Sequence, residues 1–141
     1  MKASWIVAAE PQRNCLRMKI SGFFTVDDVA AFAATVAAEI AVLKRQAGAP
    51  PHVTLCDTRG VQIQSQDAVA AFTAMLDNPA ARSRRLAYVV DAALARMQIR
   101  RLTERSDAGY FDTVEAAEAW LFAEDADPAL PGAPPPATPA P

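Results

Sequence analysis

The spacing of hydrophobic residues changes several times along the first 125 residues, and each change marks a new element. In "CLRMKISG", Leu16, Met18 and Ile20 alternate with charged or polar residues, which is typical of a half-buried strand. A short apolar segment at 5–8 and a turn-like segment at 11–14 precede it, so the start of the chain predicts a β-hairpin. Thr25 can cap a helix, with Asp28 three residues on in a near capping box. After it the spacing becomes three and four, and this stripe predicts an amphipathic helix with these inward residues: Val29, Phe32, Val36, Ile40 and Leu43.

Three more strands follow, and each is succeeded by a helix. The strands are predicted at 52–57, 85–90 and 109–111; the helices begin at Ser65, near residue 92 and after the capping residue Thr113. Segment 85–90 is almost continuously apolar, which indicates a strand covered on both faces. The inward helical residues are predicted to be Val69, Phe72, Leu76, Leu94, Met97, Leu102, Val114, Ala117, Trp120 and Leu121.

This order of elements predicts the fold class α/β. We expect a mixed sheet of about five strands covered by four helices, in which an N-terminal antiparallel hairpin is followed by mainly parallel strands. The length of 141 residues suits one domain, which we place at 1–125. Residues 126–141 are mostly Pro and Ala, so we expect a disordered tail with polyproline II character; a PxxP ligand role stays open.

Charge and hydropathy limit the classes of molecule that the chain is expected to bind. The net charge of −2 argues against a nucleic-acid partner, and charged residues interrupt every long apolar run, so no stable membrane insertion is expected. The N-terminal segment turns polar too early for a signal peptide. Two Cys far apart in the sequence are expected to be reduced thiols, and we therefore predict a cytoplasmic protein.

The sequence lacks the usual catalytic and cofactor motifs. One His and two Cys occur at no metal-ligand spacing, and neither a nucleophile elbow nor a phosphate-binding glycine loop is present, so we expect no metal and no cofactor. Cys15 and Cys56 lie within apolar strands, where a thiol stays protonated. His52 begins a strand and is expected to be partly exposed.

Two sets of charged residues remain as candidates. Arg96 and Arg100 are helical neighbours on the third helix, where they form either a solvated face or a surface for an anion or a partner. Three carboxylates, Asp57, Asp91 and Asp112, come at strand ends, so an enzyme that uses a carboxylate cluster is one alternative. Asp91 also suits the cap of the third helix.

The segment from Asp57 to Asp67 is the most informative part of the chain. Asp57 ends a predicted parallel strand, and ligands and partners meet such sheets at the carboxyl ends of the strands. Ser65 begins the next helix and can cap it; a helix N-terminus would also tolerate a phosphate on that hydroxyl.

The stretch "VTLCDTRGVQIQSQDAV" resembles the central strand, loop and helix of STAS domains, the family of anti-sigma-factor antagonists and sulfate-transporter tails. The segments "RMKISGFFTVDDVAAF" and "ALARMQIRRL" are similar to its bacterial SpoIIAA-like branch, which is related to the CRAL-TRIO lipid-transfer fold. At the phosphoacceptor position of the family this chain has Gln66, which cannot be phosphorylated. A shift of one residue in the loop would make Ser65 the acceptor.

The resemblance implies a non-catalytic regulatory domain that binds a protein partner through loop 60–66 and the helix after it. The residues expected to take part are Asp57, Thr58, Gly60, Ser65, Gln66 and Asp67. The alternative that it implies is a carrier of a small apolar or lipid-like ligand, held in a cavity that the Ala-rich first helix leaves beneath it. Self-association into a homodimer is a further expectation.

Overall fold

The computed structural model describes residues 2–46, 48–91, 93–102 and 107–126. Within these ranges the strands and helices follow the predicted order. Their bounds are β1 Ser4–Glu10, β2 Cys15–Ser21, α1 Val26–Lys44, β3 Val53–Asp57, α2 Gln66–Leu76, β4 Arg85–Val89, α3 Ala93–Leu102, β5 Ala108–Phe111 and α4 Val114–Ala126. The predicted tail lies outside the described residues from residue 127 onwards. The sequence also predicts that the third helix continues to about residue 104, and its last two predicted residues, 103–104, lie outside the described residues as well.

The strands form one sheet in the order β1-β2-β3-β4-β5. β1 runs antiparallel to β2, and the strands after it pair in parallel, so the predicted α/β mixed sheet is confirmed. One row of residues crosses the parallel part in register: Met18, Cys56, Tyr88 and Tyr110. This arrangement brings the ends of β2 to β5, and the loops that follow them, to a common edge of the sheet.

Helices cover the two faces of the sheet unequally. α1, α2 and α3 pack on one face, where Phe32, Phe72 and Ile99 meet alternate residues of the strands. α4 packs on the other face, where Leu121 joins Val53 and Val89. Because β3 and β4 lie between both layers, nearly every one of their residues is buried, which accounts for the continuous apolar run at 85–90.

Three side-chain caps determine where the helices begin. Thr25 and Asp28 form a full capping box: the Thr25 hydroxyl accepts from the Asp28 amide at 3.0 Å, and the Asp28 carboxylate accepts from the Thr25 amide at 2.9 Å. Ser65 accepts from the Ala68 amide and Thr113 from the Ala116 amide, each at 3.1 Å. These caps were predicted; the cap suggested for Asp91 involves residue 92, outside the described residues.

Two burial predictions for the helices were wrong. Met97 is exposed and Ile99 packs into the core instead, while its neighbours Arg96 and Gln98 hydrogen-bond to Asp112 and Gln64. In α2 the buried residues are Ala68 and Phe72, and Val69 is half-buried.

His52 is 5% exposed rather than partly exposed, and its Nε2 has no hydrogen-bond partner among the described residues. Burial lowers the pKa of its imidazole, and nearby Lys44 and Arg84 lower it further. The side chains of Leu94 and Leu102 lie outside the described residues.

Candidate functional site

The candidate site is the loop between β3 and α2, residues 58–65, at the carboxyl edge of the sheet. Its first turn is closed by a hydrogen bond from the Val61 amide to the Thr58 carbonyl at 3.0 Å, and Gly60 has φ +99°, which favours glycine at the third position of such a turn. The Gly22 amide donates to the Gly60 carbonyl at 3.0 Å, and the Gln62 amide donates to the Gly22 carbonyl at 3.2 Å. The loop is therefore fastened to the segment that follows β2.

Gln64 connects this loop to two other parts of the chain. Its side-chain oxygen accepts from the Phe24 amide at 2.8 Å, and its side-chain nitrogen donates to the Gly22 carbonyl at 3.0 Å. Its backbone forms a reciprocal pair with Gln98 of α3, at 3.1 and 3.2 Å. Sequence reasoning missed both glutamines, because nothing local distinguishes them from solvent-exposed polar residues.

Asp57 is buried and ion-paired. Its carboxylate accepts from Arg59 Nε at 2.9 Å and from a terminal Arg59 nitrogen at 2.8 Å, and it also accepts from the Arg59 amide at 3.1 Å. Lys19 lies 3.5 Å away. Burial raises the pKa of this carboxyl, but the hydrogen bonds from Arg59 and the charge of Lys19 outweigh burial and hold the pKa below its ordinary value.

The six residues expected to meet a partner divide into two groups. Asp57 and Thr58 are buried, and Thr58 is bound to β4 because its amide and hydroxyl both donate to the Val89 carbonyl, at 2.9 and 2.7 Å. The other four line the outer side of the segment and are exposed: Gly60, Ser65, Gln66 and Asp67. The buried pair shapes the loop, and the exposed residues are placed to contact another molecule.

Three of the remaining charged candidates contact other residues. Asp112 accepts from Arg96 at 3.0 Å, and the Arg100 guanidinium lies 4.7 Å from the centre of the Tyr110 ring. Asp91 is exposed. Arg96 and Arg100 thus connect α3 to β5 and the residue that follows it, whereas the carboxylate of Asp57 pairs with Arg59.

The two thiols are buried and free of disulfide bonding. Burial raises the pKa of Cys15 to about 11 and that of Cys56 to about 12, so both stay protonated at neutral pH. Among the described residues, no group of three or more His, Cys, Asp or Glu side chains is arranged to hold a metal ion.

An apolar cavity of about 70 Å³ lies between α2 and the sheet. Val61, Gln64 and Gln98 bound it at the loop, while Phe72 and Leu86 line it further in. The alanines of α1 do not line this cavity. Three of them, Ala33, Ala37 and Ala41, line a separate surface groove beside Lys44.

Exposed apolar side chains occur on the candidate loop and on segments that adjoin it. We call them the apolar rim: Phe23, Val26, Ile63 and Met97, each between 40% and 51% exposed. They come from the β2–α1 connection and the start of α1, the β3–α2 loop, and α3.

Within the described ranges, none of the helices combines the length and the apolar character that crossing a bilayer requires.

Comparison with known proteins supports the fold. No protein-family model and no curated protein matches the sequence. Among solved structures, the chain is similar to the crystal structure of an anti-sigma factor antagonist from Mycobacterium paratuberculosis, with a TM-score of 0.61 and 13% sequence identity, over 85% of this chain and 94% of that chain. The STAS-like α/β fold expected from "VTLCDTRGVQIQSQDAV" is thereby confirmed.

Proposed function

We propose that this protein is a non-catalytic regulatory domain that binds a protein partner through segment 60–67. The proposal rests on one observation: the segment has a fixed backbone and exposed side chains. Its backbone is fixed by hydrogen bonds to two other segments, whereas its outer side chains, including Gln66 and Asp67, are exposed. A rigid, exposed loop on a helix-covered sheet is well suited to recognition, because little conformational entropy is lost on binding.

The chemistry of the described groups favours binding over catalysis. The Asp57 carboxylate is occupied by Arg59 and has a lowered pKa, which makes it a poor general base. The two thiols are protonated and buried, and His52 is buried at the start of β3, away from the loop edge. We also propose a cytoplasmic setting, which the two free thiols support.

Ser65 is the residue of the loop best placed for modification. It is exposed at the N-terminus of α2, where backbone amides and the helix dipole stabilise a phosphate. Gln66, the next residue, has no hydroxyl. If the partner is released by phosphorylation, Ser65 is the acceptor that we propose.

Photo-crosslinking tests the proposal at two matched positions. A photoreactive amino acid replaces Gln66. In the control it replaces Gln12, which is also an exposed glutamine but lies in the β1–β2 turn, at the opposite end of the parallel strands from the loop. We expect a discrete protein adduct from position 66 in cells of the source organism, and its loss when Asp67→Lys is added. Identical adducts from both positions would contradict a partner surface at 60–67.

The cavity favours a second candidate function, the transport of a small apolar ligand. Its lining is apolar, and the polar side chains at its loop end, such as Gln64 and Thr58, are already hydrogen-bonded within the protein. At about 70 Å³ it is far below the roughly 300 Å³ of ordinary ligand pockets, so a lipid-sized ligand requires α2 to move outwards. Native mass spectrometry tests this function: a carrier gives a co-purifying ligand mass, whereas a protein mass alone argues against it.

A further inference from the structure

The apolar cavity between α2 and the sheet has one end formed by the candidate loop. Cys56 and Leu86 line it from the sheet, and Phe72 lines it from α2. At the loop end, the side-chain amides of Gln64 and Gln98 already use both their oxygen and their nitrogen in hydrogen bonds within the protein. An occupant therefore meets mainly apolar walls, which favours an uncharged apolar molecule.

The size of the cavity limits its occupant. At about 70 Å³ it has roughly half the volume of an apolar cavity of about 150 Å³ that binds benzene. Met18 and Met75 are among the lining residues, and their flexible thioether side chains let the walls adapt by small movements. The cavity therefore suits a molecule of one ring or less, which is much smaller than the lipid-sized cargo of a carrier.

α2 is the wall of the cavity that moves most readily. The backbones of α1 and α4 approach the strands closely, whereas the backbone of α2 approaches mainly α1 and α3. Three side chains of α2 line the cavity: Phe72, Met75 and Leu76. The first turn of the same helix contains Gln66 and Asp67, two residues of the proposed partner surface. A ring-sized occupant that pushes α2 outwards thus displaces that surface.

We propose that a small, uncharged apolar molecule binds in this cavity and lowers the affinity of segment 60–67 for its protein partner. The two states differ in the position of α2, which lies close to the sheet when the partner is bound and farther out when the apolar molecule is bound. Each molecule favours the state that it fits, so each weakens binding of the other by the same factor. The proposal rests on the proposed function and adds its regulation.

Benzene is the probe, and pyrazine, a ring of the same shape with two polar nitrogen atoms, is its counterpart. NMR spectra of the backbone amides follow the titration of the full chain with each compound. We expect benzene, and not pyrazine, to shift the amides of Val61 and Gln64, which line the cavity. Benzene should also shift the amides of Gln66 and Asp67, because they move with α2.

Substitution of one residue changes the cavity volume in both directions. Cys56→Ala enlarges the cavity and should tighten benzene binding, whereas Cys56→Met fills it and should abolish binding. The matched control is Cys15→Ala, because Cys15 is also a buried thiol but packs on the α4 side of the sheet. That variant should bind benzene like the wild type. Thermal unfolding of every variant verifies that it is folded.

The photo-crosslink from position 66 measures the regulation. In a lysate of the source organism, benzene should lower the yield of the adduct about fivefold or more, while pyrazine should not. In Cys56→Met the yield should not respond to benzene.

Failure of both the wild type and Cys56→Ala to bind benzene would overturn the proposal, and so would amide shifts confined to the cavity. If the adduct forms but its yield does not respond to benzene, the proposed function stands and only its regulation is wrong. If no adduct forms at all, the proposed function fails, and the regulation fails with it even where benzene binds.

Discussion

Glycine is favoured at residues 22 and 60 because two segments approach closely there and the φ angles are positive, at +88° and +99°. A Cβ atom on residue 22 would lie 2.2 Å from the Lys2 carbonyl oxygen, which belongs to the backbone and cannot turn aside. A Cβ atom on residue 60 would lie 3.3 Å from the Ser21 Cβ, a contact that a small shift relieves. The two positions therefore differ in their tolerance although both carry the same strain.

We expect Gly22→Ala to lower the free energy of unfolding more than Gly60→Ala does. The positive φ alone costs about 1–3 kcal/mol in each variant, and the clash with the Lys2 carbonyl adds to it at residue 22. Gly48→Ala is the control for strain, since φ there is +75° and a Cβ would meet no atom within 4 Å. Urea unfolding measures all three; equal losses would show that the close approach of Gly22 to Lys2 is unimportant.

The ion pair of Asp57 should make stability depend on pH at the acid end. The pKa of Asp57 is lowered from 3.8 in the folded protein, so its stabilising contribution is complete above that value and is lost as the pH falls through the lower folded pKa. Asp57→Asn should therefore be less stable than the wild type at pH 7, with the difference shrinking below about pH 4. A constant difference across this range, measured by thermal unfolding, would contradict the pairing. His52 affects stability in a separate pH range. Because its pKa in the folded protein is lowered from 6.5, its contribution is complete above that value and is lost as the pH falls below it.

Among the elements, α2 depends most clearly on one side chain, the Ser65 cap. The Ser65 hydroxyl satisfies the Ala68 amide at 3.1 Å, and its loss leaves a helix N-terminal amide unpaired. We expect Ser65→Ala to cost about 1 kcal/mol, and Ser65→Asp to be close to the wild type because a carboxylate also caps. Chemical unfolding of both variants gives the comparison. If Ser65→Asp retains stability but loses the Gln66 crosslink, Ser65 has a role in recognition beyond the cap.

The elements were predictable because their signals are local. Spacings of two, three and four along the chain determine which residues of β2 and α1 face the core, and the caps at Thr25, Ser65 and Thr113 involve residues three positions apart. Local patterns also suggested Asp57, Ser65 and Gln66, through their resemblance to a known strand, loop and helix.

The internal organisation of the site was not predictable, because it depends on contacts across the fold. The Gln64 side chain accepts a hydrogen bond from the Phe24 amide, 40 residues away in the sequence. The Gln64 amide donates a hydrogen bond to the side chain of Gln98, 34 residues away. The orientation of α3 also depends on packing across the fold. Its apolar pattern did not distinguish Met97 from Ile99, and of the two it is Ile99 that packs into the core. The rim that contains Met97 is therefore a result of tertiary structure alone.

Over the whole molecule, α4 covers β3 to β5 on its side of the sheet, while Ile6 of β1 remains open to solvent on that face. Arg17 covers part of the face that α4 leaves open, because it bridges Glu10 and Glu118 at 3.0 and 2.6 Å.

β1 is also an edge strand, whose unpaired backbone could receive a second copy of this chain. The Ala9 amide of this strand donates to the Glu39 carboxylate of α1 at 3.0 Å. Glu39 thus occupies a donor that edge pairing would use.

We expect Glu39→Ala to increase self-association, because the substitution exposes the Ala9 amide and removes a charge from the edge. Glu39→Gln keeps a side-chain acceptor and should behave like the wild type, and Glu115→Ala, on α4, controls for the loss of a charge alone. Light scattering coupled to size-exclusion chromatography over a range of concentrations gives the mass of each variant. If Glu39→Ala keeps the wild-type mass throughout, Glu39 does not protect the edge, and any homodimer forms through another surface.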